Sequence, residues 1–406
     1  MIPTTSKQIL VINSGSSSIK FCLFELPELA PITSGEIECI GAAKSAVTFK
    51  LYKNQQETNK YHSVAAINDH ASGLNTIIQF FQNNLPQALE SLYAVGHRVV
   101  HGGEIFREPA LINEEVINGI QQNIPFAPLH NPANLLGIEQ MHEMFPTLPQ
   151  VAVFDTAFFQ TLPPYAYRYA IPNRLYDELK IRRYGFHGTS HQYVAKQAAT
   201  YLEQPIERLK LISLHLGNGA SVAAIRAGKC IDTSMGMTPL EGLIMGTRCG
   251  DIDPSIPSYL AKNSGMDIEA IDALLNHESG LKGLCGSADM REVHRLANNG
   301  DEQAQLALEM FHYRVCKYIG AYYAVLGGLD ALIFTGGIGE NDANTRNAIC
   351  HRLTALNITV DPEKNQQALH STSEIHLTGN EVKVLVIPTN EELEIANQTA
   401  AVLNKR

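Results

Sequence analysis

The chain has 406 residues, 45% hydrophobic and 18% charged, the balance of a globular protein with room for two domains, each with its own core. A formal net charge of −10 excludes a basic face of the kind that holds nucleic acid, so any anionic substrate must be met by locally clustered Arg or Lys. Seven cysteines without a CxxC pair point to reduced thiols, Met1 to Lys7 lacks the apolar core of a signal peptide, and the uncharged run Tyr318 to Leu329 is too short to span a membrane; a cytoplasmic protein without membrane contact is expected.

Strand patterns dominate residues 8–24 and 46–52. The apolar run Ile9 to Ile12 leads into Asn13-Ser14-Gly15-Ser16-Ser17-Ser18-Ile19-Lys20, and Ile19 to Phe24 returns as a second apolar strand, which together make a hairpin around a Gly-Ser turn. A helical pattern follows around Asn68 to Gln82, then a strand from Leu92 to Val100 that ends in His101-Gly102-Gly103. Asn131-Pro132 reads as a helix N-cap with proline at the first helical position, continued by Leu135, Ile138, Met141 and Phe145. Val151 to Phe154 is a short buried strand carrying Asp155 at its C-terminal end.

In the second half, Thr189 or Ser190 is expected to cap a helix with the stripe Val194, Ala198, Tyr201 and Leu202. Leu211 to Leu214 then runs through His215-Leu216-Gly217-Asn218-Gly219-Ala220-Ser221 into Val222 to Ile225. That repeats the N-terminal strand–glycine turn–strand, with Gly217 lying 202 residues after Gly15. A long helix carries Leu308, Phe311, Val315, Ile319, Tyr322 and Leu326 on one face and stops at Gly327-Gly328. Ala331 to Phe334 is a strand entering Thr335-Gly336-Gly337-Ile338-Gly339-Glu340-Asn341, after which Asn341 or Asp342 caps a helix. The last strand, Lys383 to Ile387, leads to Pro388-Thr389-Asn390-Glu391-Glu392 and a terminal helix. The alternation of strands and helices defines an α/β chain, and the repeated hairpin suggests two related domains that close on one nucleotide.

The turn from Asn13 to Lys20 offers hydroxyls, exposed N–H groups and one Lys, which suits polyphosphate oxygens; taken alone it equally suits an ordinary Ser-rich hairpin. Its mate at 215–221 and the Gly-Gly turn at 336–337 favour the first reading. Neither a Walker A sequence nor a complete dinucleotide fingerprint is present. Arg98 and Arg248 both sit in Gly-flanked turns, where a guanidinium can hold a carboxylate bidentately or neutralise phosphoryl oxygens. His187 lies just before a helix N-terminus, an anion-attracting position, whereas His187 and His191 lack the Glu of a zinc protease motif. His191 reads as a packing or capping residue. Asp155 and Glu391 are the acidic candidates, either for Mg²⁺ or as structural caps.

Taken together, VINSGSSSIKF, GHRVVHGGE, FAPLHNP, VAVFDTAFF, RRYGFHGTSH, HLGNGAS, MTPLEGLIMGTR, GDIDP, SADMRE, FTGGIGEN and PTNEE resemble the acetate/propionate/butyrate kinase family of the actin-like ATPase superfamily over nearly the whole chain. The resemblance implies two duplicated ribonuclease-H-like domains, 1–155 and 156–389, an ATP cleft between them, a helix at 390–406 packed back on the first, and a homodimer built through the second. It implies reversible, in-line phosphoryl transfer between ATP and acetate, with ADP and acetyl phosphate on the other side and propionate as the alternative acceptor. Asn13 and Glu391 would bind Mg²⁺, with Mn²⁺ as a substitute, and Lys20 the nucleotide phosphates. Arg98 would hold the acyl group, and Val100, Leu129, Phe186 and Pro239 would wall its methyl pocket. Asp155 is the family's active-site acid or base, and His187 and Arg248 would stabilise the transferring phosphoryl group. His215, Leu216, Gly217, Asn218, Gly219, Asp289, Met290, Arg291, Gly337, Ile338, Gly339, Glu340 and Asn341 would line the ATP site. Cys249 and Cys285 stand where the family more usually has serine.

A carboxylate acceptor is ionised at neutral pH and needs no general base, so Asp155 is expected to orient Mg²⁺-bound water, or Arg98 and the acyl group, rather than take a proton. A sugar or polyol kinase would need such a base, and a non-catalytic ATP switch would need an added peptide-binding or filament-forming element.

Overall fold

The computed structural model describes residues 6–128, 130–367 and 371–405. The chain forms two compact units, Met1–Phe158 with Asn390–Arg406, and Phe159–Thr389.

The first unit is built on eight strands: β1 (Gln8–Ser14), β2 (Ser18–Glu25), β3 (Ala30–Glu38), β4 (Ser45–Lys53), β5 (Gln56–Ala65), β6 (Leu92–Val99), β7 (Ala110–Leu111) and β8 (Gln150–Phe154). Their order is β5-β4-β3-β2-β1-β6-β8-β7; β1 to β5 are antiparallel neighbours, and β6 runs parallel to β1 and to β8. Side chains alternate across a strand, so the unbroken apolar run of β1 serves two faces. Leu10 and Ile12 pack with Leu74, Ile77, Phe81 and Met141 from the helices His70–Asn84 and Asn131–Met144. Ile9 and Val11 pack with Ile395, Ala396 and Leu403 of the terminal helix Glu391–Asn404. The helix after Pro388-Thr389-Asn390 therefore belongs to the first unit, and its first residue, Glu391, is fixed beside the ends of β1 and β6.

The second unit has six strands: β9 (Lys210–Leu216), β10 (Ala220–Arg226), β11 (Lys229–Thr233), β12 (Ala331–Thr335), β13 (Ser373–Glu374) and β14 (Lys383–Val386), ordered β11-β10-β9-β12-β14-β13. A three-strand antiparallel meander followed by two parallel strands occurs in both sheets, β3-β2-β1-β6-β8 and β11-β10-β9-β12-β14. The glycine-turn hairpin is thus the seed of a repeated topology.

Several elements differ from the sequence reading. Strands β3 and β5 were not expected; β5 is exposed along its whole length, so its polar residues carry no alternation. The helix Gly188–Tyr201 is preceded at its cap position by His187, with Thr189 and Ser190 inside it. Asn131 is the first residue of its helix rather than the cap, because its side chain is drawn to His101. The turn Gly336–Asn341 is itself a helix, and Asp342 caps the next one through the Thr345 N–H.

Candidate functional site

Four of the sequence-derived residues meet at the ends of β1, β6 and β8 in the first unit. Arg98 on β6 donates from Nε and Nη2 to Asp155 Oδ2 at 3.0 and 2.5 Å, and from Nη1 to Asn13 Oδ1 at 3.2 Å. Glu391 lies 3.6 Å from the same guanidinium. Burial alone would lower the Arg98 pKa, but Asp155 and Glu391 outweigh it and hold the group above its ordinary value. Lys20 faces Asn13 directly across the β1–β2 ladder. Burial first, and then Glu391, raises the Glu392 carboxyl, against the pull of Lys20 and Arg98. The cluster is rich in hard oxygen donors, as a divalent cation requires. Among the described residues no three His, Cys, Asp or Glu side chains gather as a complete cage. An ion held here would take Asn13, Glu391, water and ligand phosphates, the coordination Mg²⁺ favours.

Two asparagines that sequence reading missed hold this cluster in place. Asn134 accepts from the Val100 N–H at 3.0 Å and donates to the Ser14 carbonyl at 2.7 Å, tying the end of β6 to the first turn. Asn131 accepts from the His101 N–H at 3.1 Å and donates to its carbonyl at 3.0 Å. Both lie in the helix Asn131–Met144, which begins inside FAPLHNP, and only their burial distinguishes them from ordinary helix polars. Val100 is buried beside Arg98. Leu129 lies outside the described residues.

In the second unit His187 has φ 61°, a left-handed conformation uncommon for a residue with a Cβ, at the mouth of a helix N-terminus. Its ring stacks on His215 at 4.3 Å, and its Nδ1 lies 2.9 Å from the Ser221 hydroxyl. His191 is not a cap; it is wholly buried, between Ser213 and Ser221. Arg248 donates to the Pro239 carbonyl at 3.3 Å, and burial lowers its pKa, the mark of a guanidinium without a carboxylate close enough to offset desolvation. A Cβ added at Gly219 would stand 3.5 Å from Arg248 Nη1 and 3.5 Å from His187 Nε2. Arg248 and His187 thus both approach the Gly219 backbone. The loop behind Arg248 is fixed by Arg314, which donates to the carbonyls of Gly242 and Asp251 at 2.9 and 3.1 Å. Phe186 is buried beside His187 in the chain.

A cavity of about 830 Å³ opens next to this turn, lined by Gly217, Asn218, Asp289, Met290, Arg291, Gly337, Ile338 and Asn341, with Ala288, His294, Asp342 and Asn344 added. Its size suits a nucleoside. His215, Leu216, Gly219, Gly339 and Glu340 do not line it. Leu216 points into the core, and Glu340 turns inward to accept from Gly336 N at 2.9 Å, Thr389 N at 3.0 Å and Thr335 Oγ1 at 3.3 Å. Glu340 shapes the Gly-rich turn rather than the cavity wall. His294 and Asp342, paired at 2.7 Å, carry no motif that sequence reading could have caught.

A twice-used meander-plus-parallel sheet, with glycine turns at the strand ends, is the duplicated actin-like ATPase fold. The family profile described as "Acetokinase family" matches residues 8–397, and the chain belongs to that family. It is 51% identical over 400 residues to an acetate kinase of a Sulfurovum species, covering 98% of this chain and 99% of the relative. An acetate kinase of Nitratidesulfovibrio vulgaris is 49% identical over 398 residues, covering 97% and 99%. Among solved structures, an acetate kinase of Porphyromonas gingivalis superposes with a TM-score of 0.90 at 41% identity, covering 98% of this chain and all of that one. A propionate kinase of Francisella tularensis gives 0.90 at 45% identity, covering 97% and 98%.

Proposed function

We infer that the protein is an ATP-dependent acetate kinase. An acetate carboxylate oxygen attacks the γ-phosphorus, the new O–P bond forms as the bond to the β–γ bridging oxygen breaks, and that electron pair leaves on ADP. Acetyl phosphate is the other product. The observation that carries this reading is the convergence of Arg248 and His187 at Gly219, beside a nucleoside-sized cavity. Two donors aimed at one place stabilise equatorial phosphoryl oxygens, Arg248 by charge and His187 by a hydrogen bond, which is most of what this reaction needs.

Arg98, anchored by Asp155, holds the acceptor carboxylate, and Lys20 meets nucleotide phosphate. Asp155 takes no proton. Asn13 and Glu391 would hold Mg²⁺, with Mn²⁺ as a substitute, which would spread the phosphate charge. Val100, buried two residues after Arg98, gauges the acyl group. We also read the protein as a cytoplasmic homodimer. Seven free thiols support a reducing compartment. Among the described residues no helix is long and apolar enough to cross a membrane. Leu306, Met310 and Tyr313, exposed at helical spacing on Glu302–Leu326, support self-association through the second unit.

Incubation with Mg-ATP and acetate, followed by hydroxylamine trapping, tests the reading. Acetyl hydroxamate is expected, with less product from propionate and none from glycerol or hexoses. Absence of hydroxamate would exclude the kinase.

A further inference from the structure

Behind His187 lies a line of buried groups: Ser213 Oγ is 2.9 Å from His191 Nδ1, His191 Nε2 is 2.8 Å from Ser221 Oγ, and Ser221 Oγ is 2.9 Å from His187 Nδ1. Ser213, His191 and Ser221 are all fully buried. We propose that these three residues form a one-directional hydrogen-bond relay that fixes His187 as a neutral imidazole with its proton on Nε2. His187 then donates to the transferring phosphoryl oxygen without first being protonated. This deepens the functional reading above and rests on His187 meeting that group.

The direction follows from counting protons, starting at the buried end. Among the described residues His191 is the only hydrogen-bond partner of the Ser213 hydroxyl. An unpaired buried hydroxyl proton is more costly than an unfilled lone pair, so Ser213 donates and His191 Nδ1 accepts. His191 therefore carries its proton on Nε2 and donates to Ser221. Burial, and then His215, lowers the His191 pKa, in keeping with this single-proton state. Ser221 has one proton and two ring nitrogens as partners. Having accepted from His191, it donates to His187 Nδ1. That nitrogen is then occupied as an acceptor, and the ring proton stands on Nε2, the edge nearest Arg248 and Gly219.

Protonating His187 on Nδ1 would force Ser221 to turn its hydroxyl toward His191, and His191 to turn its proton on Ser213, leaving the Ser213 proton without an acceptor. The groups that face His187 add to this resistance: His215 stacked on it, His191 through Ser221, and Arg248 beyond Nε2. Ser221, His191 and Ser213 touch no substrate in this scheme. They are positioning residues.

The first test is the ring ¹⁵N shifts of histidine-labelled full-length protein from about pH 6 to 8.5, the range in which imidazoles titrate. Both His187 and His191 are expected as Nε2–H tautomers throughout. A proton on Nδ1 of either ring would overturn the relay whatever the activity. The second test is the pH profile of kcat. In the native enzyme kcat should change less than about twofold through the imidazole range. In Ser221→Ala, with the hydroxyl gone from Nδ1, His187 presents an Nε2 proton reliably only as the cation, so kcat should fall about tenfold as pH rises. A flat profile in a folded Ser221→Ala protein would also overturn the proposal. Near-normal kcat in His187→Ala would instead overturn the phosphoryl role of His187, an outcome distinct from either tautomer result.

Discussion

Arg98 and Asp155 share one carboxylate oxygen through two guanidinium nitrogens, and Asp155 is 1% exposed. A carboxylate so engaged is an anchor for the arginine, in agreement with an acceptor that arrives already ionised. The pair sets how Arg98 presents its free edge.

Asp155→Asn keeps the shape and one acceptor but removes the charge that aligns Arg98. We expect kcat/KM for acetate to fall about 100-fold, near 2.7 kcal/mol, with the KM for ATP little changed. Raising pH should not restore the variant, since no proton transfer has been lost. Turnover close to the native value, with unaltered Mg²⁺ dependence, would remove Asp155 from this role.

Val100 is 5% exposed and follows Arg98 by two residues, a place where a small apolar side chain can gauge the acyl group. Val100→Ala should lower the KM for propionate relative to acetate, within the roughly 1–3 kcal/mol that one methylene commands. Stability should fall by about 1–2 kcal/mol from lost burial. An unchanged acetate-to-propionate ratio would take Val100 out of the pocket.

The fold was legible because β1, β9 and β12 are buried on both faces and are mostly apolar, and each runs into a glycine-containing turn. Asn13, Arg98, Asp155, His187 and Arg248 stood out for the same reason, as polar residues at the ends of apolar strands or in glycine turns. Asn131, Asn134, Ser213 and Ser221 did not. Their importance comes from partners 22 to 120 residues away, which no local pattern encodes. Strand β5 escaped because a solvent-exposed edge has no apolar face to announce it. Glu340 was visible but not its partners, since a carboxylate in a Gly-rich turn looks the same whether it faces ligand or backbone.

Glu340 accepts from two backbone N–H groups and one hydroxyl around the Gly336 turn. Glu340→Ala strands those donors, at about 1–3 kcal/mol each where burial is complete. The KM for ATP should rise about tenfold while the KM for acetate holds. Glu340→Gln retains the accepting oxygen and should behave nearly as the native enzyme. Equal effects on both substrates in the Ala variant would mean that the turn does not serve the nucleotide.

His97 precedes Arg98 on β6, is 2% exposed and bonds Gln150 Oε1 through Nε2 at 2.6 Å. Burial lowers its pKa to about 4, with the Gln150 bond acting in the other direction. The unfolded chain binds this proton near pH 6.5, whereas the folded unit resists it until about pH 4, so protons favour unfolding in that window. Stability from this group is complete above pH 6.5 and is lost as pH falls, approaching about 3 kcal/mol near pH 4. Urea unfolding at stepped pH, followed on the native protein and on His97→Gln, measures the difference. The native midpoint should drop more steeply between pH 6.5 and 4, by the slope of one proton. Parallel slopes would show that His97 takes up its proton without opening the sheet, and that the Arg98 strand tolerates a charge beside it.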